Sequence, residues 1–522
     1  MPEAHLVRPL PWNCSPLHVM RFWRTDLPLL SLVSGGPPTK HSRFSVFAPR
    51  RACVRVNRQQ HDRSQLEAAL DQVGAPCRPI RCGEITLPFA GGWIGFVGYE
   101  CGAMFEPSAR LRDGAGSLSA GQLWPDAVLC DVPRAAVHCH TTGRWFDVGE
   151  ATGEGPEEWI DTSTVLQPQR FKLRRSLDRG SAAGRATFEA MVERTRELIL
   201  AGDIFQANIT RGFSAGIAGS PRALALHALA TTAPRHGAFL ELDAHTALLS
   251  LSPELFLSID GASRRISTRP MKGTRPAGED PEALRTSSKD AAELHMIVDL
   301  MRNDLGRICE IGSVGVSEQR TIEHHATVWQ AVAEVSGTLP EQMPVSRAFA
   351  ACFPPGSVTG APKVRAMQVI DALEAGPRSA YCGAIGMASR CGSSHFAVAI
   401  RTARLTRDVG DRWDVDYHAG CGIVADSNPA DEHLECIAKT QVFMDALASA
   451  SPRGSDHGSE HFGGDAGQFA PLRLGKSDMA CDPMTLHALD EMRKTIAGSV
   501  EVGIVDLPDV AAQHDLRAVA DA

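Results

Sequence analysis

The sequence predicts a large α/β chain of the α+β kind, and three observations carry that reading. Its 522 residues exceed what one ordinary core supports, which leaves two domains or one large interleaved domain. A hydrophobic content of 43% with 22% charged residues is that of a globular protein. Both periodicities occur and switch within a few residues: a helical repeat closes at Gly202 and a two-residue alternation starts at Ile204.

The same numbers exclude several classes of function. A net charge of -8 implies no basic face for nucleic acid, so an anionic substrate needs a local site or a metal. No run of about eighteen apolar residues is present, so no membrane span is expected. The N-terminal segment carries charges and prolines without an apolar stretch, so no signal peptide is expected. The 14 cysteines are scattered without a CxxC pair. His138-Cys139-His140 and the Cys77/Cys82 pair read as structural, and reduced thiols in a cytoplasm are the expectation.

Taken in order, residues 1–150 read as short strands and turns, including Phe44-Ser45-Val46-Phe47 and the glycine-rich run from Pro88 to Phe96. Residues 151–184 are polar and predict a linker. Phe188, Met191, Val192, Thr195, Leu198 and Ile199 repeat at helical spacing and open a second block, 185–447. In the following strand Phe205, Ala207 and Ile209 share one face, and Gln206, Asn208 and Thr210 share the other, a face polar enough to line a site. Leu294, Ile297, Val298, Met301 and Leu305 mark a helix after Ser287, with Glu293 beside its apolar stripe. A further helix follows Lys363 and ends at Gly376. Residues 448–522 turn to Ser, Gly, Asp and His, which predicts a disordered linker and a tail whose Met484, Leu486, Leu489 and Met492 fit one helix.

Lys272, in Arg269-Pro270-Met271-Lys272-Gly273-Thr274, is the most informative single residue. Arg greatly outnumbers Lys in this chain. A lysine, unlike an arginine, can lose its proton in a desolvated site and attack carbon, so Lys272 is a candidate nucleophile as well as a turn lysine. Glu432, Glu435 and Lys439 fall on one helical face after Ser427-Asn428-Pro429. For Glu435 and Lys439 that spacing usually means an exposed ion pair of under about 1 kcal/mol, and the alternative is a metal ligand beside a carboxylate-binding cation. The run Gly356-Ser357-Val358-Thr359-Gly360-Ala361-Pro362-Lys363 leads into a helix whose first amides suit an anion. It is not a nucleotide P-loop, since its glycines are too close and no Ser or Thr follows Lys363.

Together these segments are specific. GDIFQANIT, SPELFL, TRPMKGTRPAG, SSKDAAELHMIVDLMRNDLGR, FPPGSVTGAPK, YCGAIG, AIRTARL and GCGIVADSNPADEHLECIAK stand in order between about 185 and 447. That block resembles the chorismate-utilising enzymes, and the first block, with SRFSVF and PFAGGWIGFVGYE, is similar to the N-terminal part of the aminating members.

The resemblance implies an anthranilate synthase component I-like fold, two sheets flanked by helices around a Mg²⁺-dependent chorismate site. Glu293 and Glu435 match the metal ligands, with Glu432 close by, a set that suits magnesium. Arg401 and Lys439 match the groups that hold substrate carboxylates, helped by Gln206, Gly273, Thr274, Thr359, Tyr381, Gly420 and Gly422. Glu254 matches the acid/base beside the C4 oxygen. Members that add water carry Lys where this chain has Gln206, and anthranilate synthases have Ala where it has Lys272. The lysine resembles the aminodeoxychorismate synthase branch, which aminates chorismate for 4-aminobenzoate and folate synthesis. Gln330 stands where relatives often have His; it hydrogen-bonds a hydroxyl but does not titrate, and His324 and His325 lie near. No glutaminase elbow and no N-terminal tryptophan-binding signature is evident, so ammonia is expected from a separate glutamine amidotransferase subunit, without tryptophan feedback.

Overall fold

The computed structural model describes residues 5–73, 77–112, 124–151, 153–161, 170–177, 181–276, 278–324, 328–448 and 473–474. Two large antiparallel sheets dominate. The first runs from His5–Leu10 through Arg144–Glu150, Arg134–Cys139, Phe44–Pro49 and Leu29–Val33. It continues into His236–Glu241, Thr246–Ser252, Thr402–Arg407, Arg412–Ile423, Gln206–Gly219 and Phe171–Arg175. The second runs from Met271–Pro276 through Val328–Thr338, Arg265–Arg269, Leu255–Ile259, Ser394–Val398, Ala384–Ser389, Gly92–Val97 and Ala127–Val132 to Cys53–Val56.

Both sheets draw strands from both halves of the chain. Leu29–Val33 pairs with His236–Glu241, and Gly92–Val97 pairs with Ala384–Ser389. Residues 1–150 are therefore built into the sheets that carry the second block. The segment expected to be a linker also contributes. Phe171–Arg175 pairs with Gln206–Gly219, and Trp159 is fully buried against Trp23 with ring centroids 5.6 Å apart.

The helices follow their apolar periodicity. Ala182–Leu200 buries Phe188, Val192 and Thr195 after a Ser181 cap that accepts from the Gly184 amide. Ser288–Gly306 buries Leu294, Ile297, Val298, Met301 and Leu305, and Ser287 caps it by accepting from the Asp290 amide at 3.2 Å. Pro429–Ala448 packs on the Arg412–Ile423 and Ala182–Leu200 elements, its first amides taken by Asn428.

Four expectations are corrected. Phe205 does not share a strand face with Ala207 and Ile209: the strand starts at Gln206, and Phe205 is 70% exposed. The helix after Lys363 ends at Leu373 rather than Gly376, because Glu374 leaves the helical backbone and turns inward. Cys53 and Cys130 form a disulfide instead of remaining reduced, since neighbouring strands place them directly opposite with Cα atoms 3.9 Å apart. The 151–184 linker reading fails at Trp159 and Phe171–Arg175. The calls on the C-terminal tail and on His325 lie outside the described residues. Among the described residues no helix is long and apolar enough to cross a membrane.

Candidate active site

The polar face of Gln206–Gly219 lies at the junction of three chain segments. Its register sets Asn208 opposite Gly422 and Thr210 opposite Gly420, while Gln206 pairs with Ala361. Gln206, Asn208 and Thr210 are buried, so this polar face is interior, not solvated. A methyl group on Gly422 would collide with the Gln206 amide and stand 3.0 Å from Lys272 Nζ. Gln206, Lys272 and Gly422 therefore meet, and only glycine leaves room for the two side chains. Gly420 is equally constrained: a methyl group there would collide with the Ile209 carbonyl and with Thr210.

Lys272 reaches that point from the Met271–Pro276 strand. The ladder with Val328–Thr338 pairs Lys272 with Ala331 and then jumps to Thr274 with Gln330. The residue left over is Gly273, at φ +80, a left-handed value that marks a bulge and re-aims the strand. Gln330 Nε2 donates to Thr274 Oγ1 at 3.4 Å. The side-chain oxygens of Gln206 and Gln330 are buried and find no hydrogen-bond partner among the described residues. Buried acceptors left this way are costly, and a bound molecule with hydrogen-bond donors would satisfy them. The ring of His324 packs on Trp329 at 4.5 Å instead of taking the place of Gln330.

Glu254 stands at the entry to Leu255–Ile259 and is 4% exposed. Burial pushes its carboxyl up to about 7, opposed by a hydrogen bond from Ser357 and by the charges of Lys272 and Arg401. A carboxyl at that value is poised to give and take protons near neutrality. Arg401 has a left-handed backbone, φ 51, unusual for a side chain of its size. Burial lowers its guanidinium, against the pull of Tyr417 and Glu254. Tyr381 is buried with its ring 5.4 Å from His418, and Thr359 donates its hydroxyl to the Pro355 carbonyl at 2.9 Å.

The Pro429–Ala448 helix supplies the acidic group. Donor atoms of Cys421, Glu432 and Glu435 lie within 4.8 Å of one another. Glu432 is buried and accepts from Ser427 Oγ at 2.7 Å. Lys439 Nζ bridges Glu435 at 2.8 Å and the Gly420 carbonyl at 2.9 Å, so the i,i+4 pair is also tied to the glycine strand. The two carboxylates fit a hard oxygen-seeking cation. Cys421 does not suit such an ion: its sulfur is a soft donor, and its thiol already donates to the Glu432 carbonyl. Glu293, the other predicted ligand, is half-buried on Ser288–Gly306 and is not a member of this cluster.

The profile of the chorismate binding enzyme family matches residues 36–445. The chain belongs to that family. It is similar to the aminodeoxychorismate synthase component 1 of Escherichia coli strain K12, 33% identical over 83% of this chain and 99% of that protein. It is also similar to the anthranilate synthase component 1 of Saccharolobus solfataricus, 30% identical over 84% of this chain and 99% of that one. Its fold matches the crystal structure of anthranilate synthase component I from Streptococcus pneumoniae, with a TM-score of 0.62 and 27% identity over 83% of this chain and 98% of that one.

Some residues that shape the site in this member of the family were not picked out from the sequence. Ser357 stood in the quoted GSVTG run but its contact with Glu254 comes from a segment 103 residues away. Glu374 and Arg378 pair at i,i+4 across a Gly-Pro that hides the spacing. Arg378 donates to the Glu374 carboxylate, to the Asn208 carbonyl and, at 3.1 Å, to the Val358 carbonyl, with its guanidinium 4.6 Å over the Tyr99 ring. Glu374 in turn accepts from the Thr210 amide at 2.9 Å and its hydroxyl at 3.0 Å. This cluster ties the floor of the site to the Gly356–Val358 turn.

Proposed function

We propose that this chain is the chorismate-aminating component of an aminodeoxychorismate synthase, making 4-amino-4-deoxychorismate for 4-aminobenzoate formation. What supports the reading is Lys272, whose amine meets Gln206 and Gly422 and acts on the charge of buried Glu254. In this mechanism the neutral amine attacks C2 of chorismate. The two ring π pairs shift and the C4 hydroxyl leaves as water, taking its proton from Glu254. Ammonia then attacks C4, the π pairs return, and the C2–N bond breaks with its electrons staying on Lys272. The new C4 ammonium gives its extra proton back to Glu254. Arg401 and Lys439 hold the substrate carboxylates. Gln206, an amide where a base would activate water, leaves C2 to the lysine.

Glu432 and Glu435 would hold Mg²⁺, and Glu293 of the Ser288–Gly306 helix, which stands outside their cluster, is the further ligand proposed from the family resemblance. When bound, the ion neutralises carboxylate charge on the substrate. Ammonia comes from a glutamine amidotransferase subunit. The test is to incubate the pure chain with chorismate, Mg²⁺ and ammonium and weigh the product. The aminated product should keep its enolpyruvyl group, and glutamine should replace ammonium only when an amidotransferase subunit is added. A product lacking that group supports the second reading, anthranilate formation, which similarity to anthranilate synthases favours.

A further inference from the structure

Among the described residues Glu254 is held by four hydrogen bonds, and three of them, one from Ser252 Oγ to its carbonyl at 3.4 Å, concern only its backbone. Its amide donates to Ser252 Oγ at 3.2 Å, and its carbonyl accepts from the Val398 amide at 3.0 Å. The side chain has one hydrogen bond among the described residues, from Ser357 Oγ to Oε1 at 2.6 Å, and both residues are buried. Lys272 and Arg401 face the carboxyl and act on it through their charge, but neither donates a hydrogen bond to it.

The Ser357 hydroxyl is itself fixed. It sits in the Gly356–Val358 turn, closed by Thr359 Oγ1 on the Pro355 carbonyl and by the Asn208 amide on the Thr359 carbonyl, 2.9 Å each. A carboxyl oxygen that accepts from a serine is the less basic of its pair, so the exchangeable proton resides on the other oxygen.

We infer that Ser357 is the positioning residue for Glu254, holding Oε1 so that Oε2 carries the proton toward the C4 oxygen of the substrate. The inference rests on the reading of Glu254 as the acid/base. Loss of the serine frees the carboxyl to rotate and removes a hydrogen bond that favours its charged form. The ionisation of Glu254 then moves upward.

The experiment is the pH dependence of kcat and KM for ammonia-driven turnover in the parent, Ser357→Ala, Ser357→Thr and Glu254→Gln. Ser357→Ala should lower kcat about 10-fold and move the limb that reports Glu254 up by about half a pH unit or more, with KM for chorismate nearly unchanged. Ser357→Thr, which keeps the hydroxyl, should restore the limb. If Ser357→Ala keeps the parental limb while Glu254→Gln has lost both limb and turnover, the positioning role is wrong and the acid/base reading stands. If Glu254→Gln turns over like the parent, the acid/base reading falls and takes the inference with it.

Discussion

Two positions on one face of the Gln206–Gly219 strand, four residues apart, are finished in opposite ways. At Thr210 the buried polar atoms are satisfied: amide and hydroxyl both donate to Glu374, which Arg378 neutralises. At Gln206 the amide oxygen has no partner among the described residues, and Lys272 from the other sheet meets the same point beside Gly422. Burial is the same at both ends. Completion differs, and the proposed reading puts the ligand at the incomplete end, where it would supply the missing contacts.

The largest effect expected at the open end is on chemistry. Lys272→Ala should cut aminodeoxychorismate formation by about 10³-fold with the circular dichroism and melting curve unchanged, because it removes a nucleophile and no core packing. Full turnover with ammonia in this variant would exclude the covalent route. At the closed end the loss should be structural. Arg378→Met strands Glu374 in the interior and should destabilise the fold by about 3–5 kcal/mol, read by denaturant titration. A variant as stable as the parent would mean that water enters the cluster.

Glu254→Gln should separate the two ends by sign. A carboxyl raised from 4.5 to about 7 binds its proton more tightly folded than unfolded. Its contribution to stability is therefore greatest below pH 4.5 and is lost as pH rises through 7. Above pH 7 the glutamine variant should be more stable than the parent by about 1–3 kcal/mol, while turnover is lost. A variant no more stable than the parent at pH 8 would show that substrate-free Glu254 is already solvated.

Glu293→Gln and Glu435→Gln should each raise the Mg²⁺ midpoint about 10-fold at saturating chorismate. An unchanged midpoint for Glu435→Gln would return it to a surface ion pair with Lys439. The smallest change is expected from Gln206→Lys. The added cation should weaken amination a few-fold and permit some isochorismate, seen by chromatography with and without ammonium. Parental amination with no hydrated product would remove Gln206 from the site.

Much of this contrast was legible in the sequence because it is local. The alternation from Gln206 to Thr210, the helix after Ser287 and the apolar stripe from Leu294 to Leu305 each depend on neighbours within a few residues. What escaped depends on distant partners. Phe171–Arg175 has the composition of a polar connection, and it is a strand because the edge of Gln206–Gly219 accepts it. Glu374 ends a helix three residues early for the sake of Thr210, and Cys421 gains acidic neighbours only when the next helix folds back over its strand. A period cannot announce such contacts.

The interleaving of early and late strands also bears on how the chain comes off the ribosome. Ser31 donates to the Phe239 carbonyl, 208 residues away, and the Ala90 amide to Ser389, 299 residues away. At a synthesis rate of about 5–20 residues per second, the first strands wait roughly 10–60 s for their partners. During that interval Leu29–Val33 and Gly92–Val97 have only their early partners, Phe44–Pro49 and Ala127–Val132, and the other edge of each is open and apolar, the kind of surface on which nascent chains associate wrongly. Nascent-chain binding by a chaperone should thus peak on these strands and decline once residues near 240, and later 390, have left the exit tunnel.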